Sequence, residues 1–373
     1  MQIKPRQVKV RHFITRYHNR IMCKNHGESS LCAVRFASIL LPEKGSEGHW
    51  RHPGVRPRFQ DESNFGSVMK ETPIVCVGIG ELLWDVLPEG KQLGGAPANF
   101  ACHAGQLGAH AVLVSCVGKD MLGVEILEQV TRLGLQQKYI QVCGEHPTGT
   151  VDVKIDEGGH PKYVIHERVA WDCLAWTPPL QELARRTDAV CFGTLAQRNA
   201  ASRHAIHTFL QTVPSECLRI LDVNLRQSYY TPDIIDESLR AANVLKLNEE
   251  ELAAVCRMLA LETDAPVDRQ LAMLRERYKL KLIALTAGGR GSSMVTEHET
   301  VCCDTPAVKV RDTVGAGDAF AAAVAIGRLR GLGLHDINCA ASRVASYVCS
   351  QPGATPTLPD DLVRQFSLRN EEK

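Results

Sequence analysis

The chain has 373 residues, of which 44% are hydrophobic and 23% are charged, values typical of a globular protein with a substantial core. Its net charge of +1 argues against nucleic acid as a partner, and no apolar run in the sequence approaches the ~20 residues of a membrane span. We therefore expect a cytoplasmic protein without a nucleic-acid or membrane partner. The 14 cysteines form no C-x-x-C pair and, apart from Cys302 and Cys303, sit singly, so we expect buried, reduced thiols.

Residues 1–68 differ from the rest in charge and texture. They contain 12 Lys and Arg against 5 Asp and Glu, and they show no sustained helical or alternating period. We predict a disordered basic extension over residues 1–68, followed by one domain over residues 69–373. The extension could be an organelle-targeting segment, or a leader or misassigned stretch upstream of a natural start at Met69, and we favour the second interpretation.

From residue 74 onward, short apolar strands alternate with helices. In chain order we predict strands over residues 74–79 and 82–87, a helix over 94–107, a strand over 111–117 and a helix over 120–133. A hairpin of 150–156 and 162–166, turning at Gly158-Gly159, then interrupts the alternation. After it we predict a strand over 189–192, a helix over 203–212, strands over 218–223 and 242–247, a helix from Glu249, a helix over 267–278, a strand over 282–286, a strand pair over 293–295 and 300–302, a long helix over 315–330 and two final helices. This rhythm predicts a parallel sheet covered on both faces, with ligands bound at the carboxyl ends of its strands.

The stretch Asp312-Thr-Val-Gly-Ala-Gly-Asp318 opens the long helix and is the first candidate site. Gly315, Ala316 and Gly317 leave the backbone bare where a helix start presents unpaired N–H groups, which suits an anion. Asp318 would be repelled by a bound phosphate unless it has a role. We interpret it as a base that removes a proton from a hydroxyl while the glycine turn holds a phosphoryl group.

Three further candidates lie within or next to predicted strands. Asp85 lies among apolar residues and needs partners, which sugar hydroxyls or a local backbone N–H could supply. The Gly94 to Asn99 stretch is a second bare helix start, which a plain helix entry would also explain. Asp222, Asn224 and Arg226 alternate on one side of an extended segment, where Arg226 suits a phosphate unless it pairs with Asp222.

Two more motifs occupy later strand ends. Asn248 and Glu251 could hold the waters of a Mg²⁺ ion or could form a helix capping box. The turn from Thr286 through Gly288 to Gly291 could admit nucleotide phosphates. The sequence contains no Walker-type phosphate loop, no complete dinucleotide fingerprint and no zinc-ligand spacing.

Taken together, these motifs resemble the two signatures of the ribokinase-like (PfkB) sugar kinases. Gly94–Asn99, Leu107-Gly108 and Val117-Gly118-x-Asp120-x-x-Gly123 resemble the first signature, and Asp312–Asp318 resembles the second. The resemblance spans residues 74–364. Within the family, Gly80–Asp85, Leu93–Asn99 and Phe192–Arg198 are most similar to bacterial fructokinases.

The resemblance implies a three-layer α/β/α ribokinase-like fold with a mostly parallel central sheet and a small β lid from residues 82–87 and 148–167. It implies an ATP-dependent kinase for a primary hydroxyl of a small sugar, with fructose favoured. The expected roles are catalysis by Asp318 and the Gly315–Gly317 turn; sugar binding by Asp85, Gly94, Gly95 and Asn99; ATP binding by Asn224, Arg226, Asn248, Thr286, Gly288 and Gly291; and a water-mediated metal contact by Glu251.

Mg²⁺ with ATP is the expected cofactor, and the sequence leaves open whether a monovalent cation is also used. The edges of a small lid could support a homodimer. Alternatives also stay open at this point: another sugar such as ribose, 2-keto-3-deoxygluconate or a nucleoside; a sugar-binding regulatory protein that has lost catalysis; or an organelle or nucleic-acid-associated form made so by the basic extension.

Overall fold

The computed structural model describes residues 73–87, 90–155 and 161–367, with the backbone alone for residues 153–155 and 161–163. The predicted disordered extension over residues 1–68 and the predicted Gly158-Gly159 turn lie outside the described residues.

Thirteen strands in the described part of the chain form two sheets. In chain order they are β1 Val75–Ile79, β2 Leu83–Leu87, β3 Gly90–Gly94, β4 His110–Gly118, β5 Ile140–Cys143, β6 Gly149–Ile155, β7 Pro161–Ile165, β8 Ala189–Phe192, β9 Leu218–Asp222, β10 Val244–Asn248, β11 Leu282–Thr286, β12 Ser292–Val295 and β13 Thr300–Cys303. The large sheet has the order β13-β12-β11-β10-β9-β8-β1-β4-β5. Its strands from β11 to β5 are parallel, and β12 and β13 add an antiparallel edge.

Helices cover both faces of the large sheet. They are α1 Ala96–Gln106, α2 Met121–Arg132, α3 Pro178–Ala184, α4 Ala200–Thr212, α5 Pro232–Ala241, α6 Glu249–Met258, α7 Val267–Tyr278, α8 Ala316–Leu329, α9 Leu334–Ser350 and α10 Asp360–Arg364. Alternate residues of β1 point to opposite cores: Val77 packs with residues of α3 to α7, whereas Cys76 packs with residues of α1, α8 and α9. The predicted three-layer α/β/α fold with a mostly parallel sheet is therefore confirmed.

The second sheet has the order β3-β2-β6-β7, with β2 and β6 parallel and both outer pairs antiparallel. Leu83, Val151 and Ile165 lie on one face of it and are buried against the larger core cluster. Asp85 lies on the same face, because it alternates with Leu83 along β2. The expected small sheet is present, and it carries a half-buried carboxyl on its inner face.

The structure corrects two expectations from the sequence. Gly94 is the last residue of β3 and not the first residue of a helix, because the polar run from Gly90 pairs with β2 and α1 begins two residues later. The expectation of reduced cysteines is wrong for one pair, since the structure joins Cys303 on β13 to Cys339 on α9 by a disulfide. Their distance along the sequence hid this contact, which exists because α9 packs against the β12–β13 edge.

The described residues include no helix that is both long and apolar enough to cross a membrane.

Candidate active site

The start of α8 is shaped by a tight turn next to the loop at Ala354. Gly315 caps the helix with a φ of 80°, and a Cβ at this position would collide with the backbone of Ala354. Asp312 stabilises the turn by accepting hydrogen bonds from the N–H groups of Val314 and Gly353. At this end of the helix the Ala319 N–H donates to Gly315 O, so the N–H groups of the turn lie before the regular hydrogen-bond ladder. The turn therefore requires glycine and presents backbone donors.

Asp318 on α8 meets Asn99 on α1, although 219 positions separate them. The Asn99 side chain donates a hydrogen bond to Asp318 Oδ2 over 2.8 Å. Burial raises the pKa of Asp318 from 3.8 to about 7, and the negative charge of Asp222 adds to this increase. The bond from Asn99 and the charges of Lys246 and Arg226 oppose it. A carboxylate with a pKa near neutrality can accept a proton and release it again.

Lys246 is a charged residue at this site that the sequence analysis missed. It is the third residue of β10, and its Nζ lies 2.9 and 3.1 Å from the two carboxylate oxygens of Asp222 at the end of β9. Asp222 was expected either to face a ligand or to pair with Arg226; its partner is Lys246 instead. The register of the sheet explains this, because Lys246 and Asp222 are directly opposite on neighbouring strands. In the sequence, Lys246 is only a single lysine within an apolar strand. That pattern shows that its charge is costly to bury, but it does not identify the partner.

The inner face of the small sheet places Asp85 against Gly94. A Cβ on Gly94 would overlap the Asp85 carboxylate, so glycine leaves the space that this side chain occupies. Burial raises the pKa of Asp85 to about 6, and the charge of Arg226 opposes the increase. Gly95 has a φ of 119° and a Cβ here would collide with the carbonyl of Glu81. The predicted sugar-binding residues thus lie along one connection, from β2 through β3 to the start of α1.

Arg226 lies in a group of acidic side chains. Its positive charge lowers the pKa values of Glu81, Asp85 and Asp318, so it is close enough to influence all three. The side chain is exposed and donates to the carbonyl of Leu225. Asn224, two residues earlier, has a φ of 42°, a conformation that turns the chain sharply after β9. An exposed cation above several carboxyls is suited to recruit an anionic ligand.

Asn248 and Glu251 form the capping box that was one of the two interpretations of their spacing. Asn248 Oδ1 accepts the N–H of Glu251 over 2.9 Å, and Glu251 Oε2 accepts the N–H of Asn248 over 2.9 Å. The other carboxylate oxygen of Glu251 accepts the N–H of Leu225. No group of three metal-ligand side chains exists among the described residues. The metal role of Glu251 therefore stays a prediction, and it would have to be indirect, through water.

A cavity of about 420 Å³ extends from the end of β11 to the start of α8. Its lining joins the predicted Thr286, Gly288 and Gly291 to Ala316 and Gly317 of the helix start. Most of the other lining residues, which the sequence did not single out, are small or apolar, and they include Pro306, Ala307, Val308, Val310, Ser342, Ala345, Ser346 and Cys349. The spacing of the last four along α9 marks one face of a helix, but nothing in that pattern distinguishes a cavity wall from a core contact.

Two glycines shape the turn at the mouth of this cavity. Gly288 has a φ of 57°, and Gly291 has a φ of 119° with the carbonyl of Cys303 2.6 Å from where its Cβ would lie. Asn248 pairs directly with Thr286 across β10 and β11, so it lies beside the cavity without belonging to its lining. The cavity ends at the helix start that carries Asp318, so a cavity of about 420 Å³ and a buried carboxyl with a raised pKa lie next to each other.

Residues 80–361 match the model of the pfkB family of carbohydrate kinases. The chain belongs to this family, whose members are phosphotransferases that use an alcohol group as acceptor, and it is a sugar kinase.

Individual relatives are more distant. An uncharacterized sugar kinase of Pyrococcus horikoshii is 29% identical over 318 residues, which cover 80% of this chain and 97% of that protein. A fructokinase of Salmonella typhimurium is 27% identical over 256 residues, covering 65% of this chain and 81% of its own. The solved structure of the Pyrococcus horikoshii sugar kinase in complex with ATP superposes with a TM-score of 0.66 at 26% identity, covering 79% of this chain and 100% of that one.

Proposed function

We propose that this sugar kinase is a fructokinase, which transfers the γ-phosphoryl group of ATP to a primary hydroxyl of D-fructose. The observation that carries the proposal is the hydrogen bond between Asn99 and Asp318, which follows Ala316 and Gly317 of the cavity lining along α8. It joins an expected sugar-binding residue to the expected base at the helix start. The likeness to the Salmonella fructokinase supports fructose as the acceptor.

Asp318 accepts the proton of the sugar hydroxyl in this mechanism. The hydroxyl oxygen forms a new bond to the γ-phosphorus while the bond from that phosphorus to the bridging oxygen breaks, so ADP leaves with the electron pair. The N–H groups of Gly315, Ala316 and Gly317 stabilise the charge on the phosphoryl oxygens. Of these, the Ala316 N–H also makes a long contact of 3.4 Å with Thr313 O, which a phosphoryl oxygen would replace.

ATP fits the cavity between β11 and α9. The small and apolar lining suits a base and ribose, and the turn from Gly288 to Gly291 lets phosphates approach the backbone. Arg226 is exposed near the acidic side chains, and its positive charge would neutralise phosphate oxygens of ATP. Asn224 and Asn248 would support the phosphates from neighbouring strand ends.

Mg²⁺ bound to the nucleotide would neutralise phosphate charge and hold the phosphoryl group in line. The residues present fit such an ion only through its waters, because both oxygens of Glu251 already accept backbone N–H groups. A carboxylate oxygen has a second lone pair, so a water of the ion can still bind there. Use of a monovalent cation stays a prediction, tested by comparing turnover in potassium with turnover in tetramethylammonium.

The small sheet would act as a lid over the sugar. Asp85 on its inner face would accept hydrogen bonds from sugar hydroxyls, and Gly94 and Gly95 would let the sugar approach the backbone. The outer strands β3 and β7 leave edges that a second subunit could pair with, so we propose a homodimer through the lid. Light scattering that shows a monomer at assay concentration would exclude it.

The acceptor is tested by ADP release from Mg-ATP with a panel of fructose, ribose, 2-keto-3-deoxygluconate and nucleosides. We expect the highest kcat/KM with fructose. A higher value for another sugar would replace fructose as the substrate and leave the mechanism intact. No ADP release with any sugar, together with measurable sugar binding, would instead indicate a regulatory protein that binds sugar without phosphorylating it.

A further inference from the structure

Lys246 is a buried cation that none of the proposed roles uses. Its residue is 8% exposed, and its ammonium group donates to both oxygens of Asp222, which is itself 2% exposed. A buried ion pair of this kind is seldom kept for stability alone, because desolvation of both charges offsets most of their attraction. Its position within the site is therefore the informative feature.

The ammonium group lies directly beneath the glycine turn. A Cβ on Gly317 would be 2.6 Å from Lys246 Nζ, closer than real side chains allow. Gly317 has no positive φ, so its backbone conformation alone does not require glycine. The side chain of Lys246 supplies the reason for glycine at this position. The same contact places a positive charge within a few ångströms of the N–H groups proposed to hold the phosphoryl group.

The surroundings keep this lysine charged. Burial opposes its charge, but the carboxylates of Asp222, Glu251 and Asp318 more than compensate and raise the pKa of Lys246 above its ordinary value. The lysine in turn lowers the pKa of Asp318, against the effects of burial and of Asp222. Lys246 therefore keeps its positive charge at neutral pH.

We propose that Lys246, fixed by Asp222 behind the Gly315–Gly317 turn, is a positioning residue that adds a permanent positive field to the phosphoryl-binding backbone. It acts through that backbone and through Asp318, and it does not touch the substrate. The inference rests on the proposed function, since it needs phosphoryl transfer at this turn. Its field matters most when negative charge builds up in the transition state.

Two variants separate this role from simple packing. In Lys246→Met with Asp222→Asn, both charges of the pair disappear together and no uncompensated ion is left in the core, so stability should be close to that of the wild type. Lys246→Gln removes the charge and keeps a hydrogen-bond donor for Asp222, which provides a second route should the double variant fail to fold. Each is compared with the wild type by melting temperature, kcat and both KM values.

We expect kcat to fall ~10–100-fold in both variants, less than the ~10²–10³-fold loss for a direct oxyanion-hole donor, because Lys246 does not touch the substrate. Both KM values should change by less than about threefold. Affinity for ADP with aluminium fluoride and fructose, which imitate the transferred phosphoryl group, should fall by a similar factor, whereas affinity for ADP alone should not. In Lys246→Gln the acid limb of the kcat–pH profile should move to higher pH, because Asp222 then acts on Asp318 with only Arg226 and Asn99 to oppose it.

A folded double variant or Lys246→Gln variant with kcat within about threefold of the wild type would overturn the inference, and so would equal losses in affinity for ADP alone and for the aluminium fluoride complex. The wild type and Asp318→Asn separate this failure from failure of the proposed function. When the wild type phosphorylates fructose and Asp318→Asn does not, an active Lys246→Gln variant refutes the role of Lys246 alone. A wild type that releases no ADP with any sugar refutes both.

Discussion

The two regions of the site differ in the types of side chain that form them. Around Asp318, the strand ends and helix starts carry charged and amide side chains, Asn99, Asp222, Arg226 and Lys246, which are bonded to one another or shift one another's pKa values. The cavity beside it, from Thr286 to the α9 face, is lined by glycines and small or apolar residues. One region is organised by charge and the other by backbone shape.

This difference separates the tasks of the two regions. A group that exchanges protons needs a shifted pKa, and burial with neighbouring charges supplies it. A nucleotide needs space and backbone donors, which glycine turns supply without added charge. We therefore expect changes near Asp318 to lower kcat, and changes in the cavity to raise KM for ATP.

Apart from replacement of Asp318 itself, the largest effect is expected at Gly315, the residue that caps α8. Gly315→Ala forces a positive φ on alanine and drives its Cβ into Ala354, so the phosphoryl-binding turn must move. We expect kcat to fall ~10²–10³-fold, as for loss of an oxyanion-hole donor. Gly331→Ala is the matched control, because Gly331 has a similar φ of 71° with nothing near its Cβ. Equal kinetic losses in both variants would show that backbone strain is responsible and that the turn has no special role.

The next effect is the pH dependence of turnover. Asp318 acts as a base only when ionised, and burial places its pKa at about 7. We expect kcat/KM to fall about tenfold per pH unit below 7 and to level off above it. Burial raises the pKa of Glu81 to about 7 as well, so Glu81→Gln is the control. The pH profile of Glu81→Gln should keep the acid limb. Loss of that limb would show that Glu81, and not Asp318, is the carboxyl that titrates.

A smaller effect is expected in the cavity. Gly291→Ala strains a φ of 119° and pushes its Cβ against the carbonyl of Cys303. The displaced turn should raise KM for ATP about tenfold, equivalent to about 1.4 kcal/mol, with kcat nearly unchanged. Gly134→Ala carries a positive φ on a distant turn and controls for strain. A loss in kcat with unchanged KM for ATP would break the division between the two regions.

The smallest effect concerns stability. Because the pKa of Asp318 is raised on folding, the folded protein holds a proton that the unfolded chain releases, and the stability contributed by this group declines as pH rises from about 4 to about 7. Asp318→Asn removes this decline. The melting temperature of Asp318→Asn minus that of the wild type, measured by calorimetry, should therefore be about 2–4 °C higher at pH 8.5 than at pH 5.5. An equal difference at both values would show that the pKa of Asp318 is not raised.

The sequence was informative where local pattern determines local structure. Alternating apolar strands and helices predict the layered fold, because a buried parallel strand is apolar along its whole length. The glycine turn before Asp318 predicts a helix start with bare donors, and the structure contains it. The capping box of Asn248 and Glu251 was also visible in the sequence, as one of two interpretations.

The missed features depend on contacts between distant parts of the chain. Strand β3 is polar and exposed, and it is a strand because β2 pairs with it. Lys246 becomes significant only through the sheet register that sets it opposite Asp222 and beneath Gly317. The Cys303–Cys339 disulfide likewise follows from the packing of α9 on the sheet edge. Local propensity cannot report a neighbour that tertiary structure supplies.

The central claim is that Asp318 carries the chemistry while the cavity binds ATP. The most direct test is the rate of phosphoryl transfer by Asp318→Asn after rapid mixing with saturating Mg-ATP and fructose. The affinities for Mg-ATP and for fructose are measured separately by calorimetry. We expect phosphoryl transfer to slow ~10²–10⁴-fold in this variant, while both affinities stay within about threefold of the wild type. Transfer at a rate close to that of the wild type from the saturated complex would contradict it.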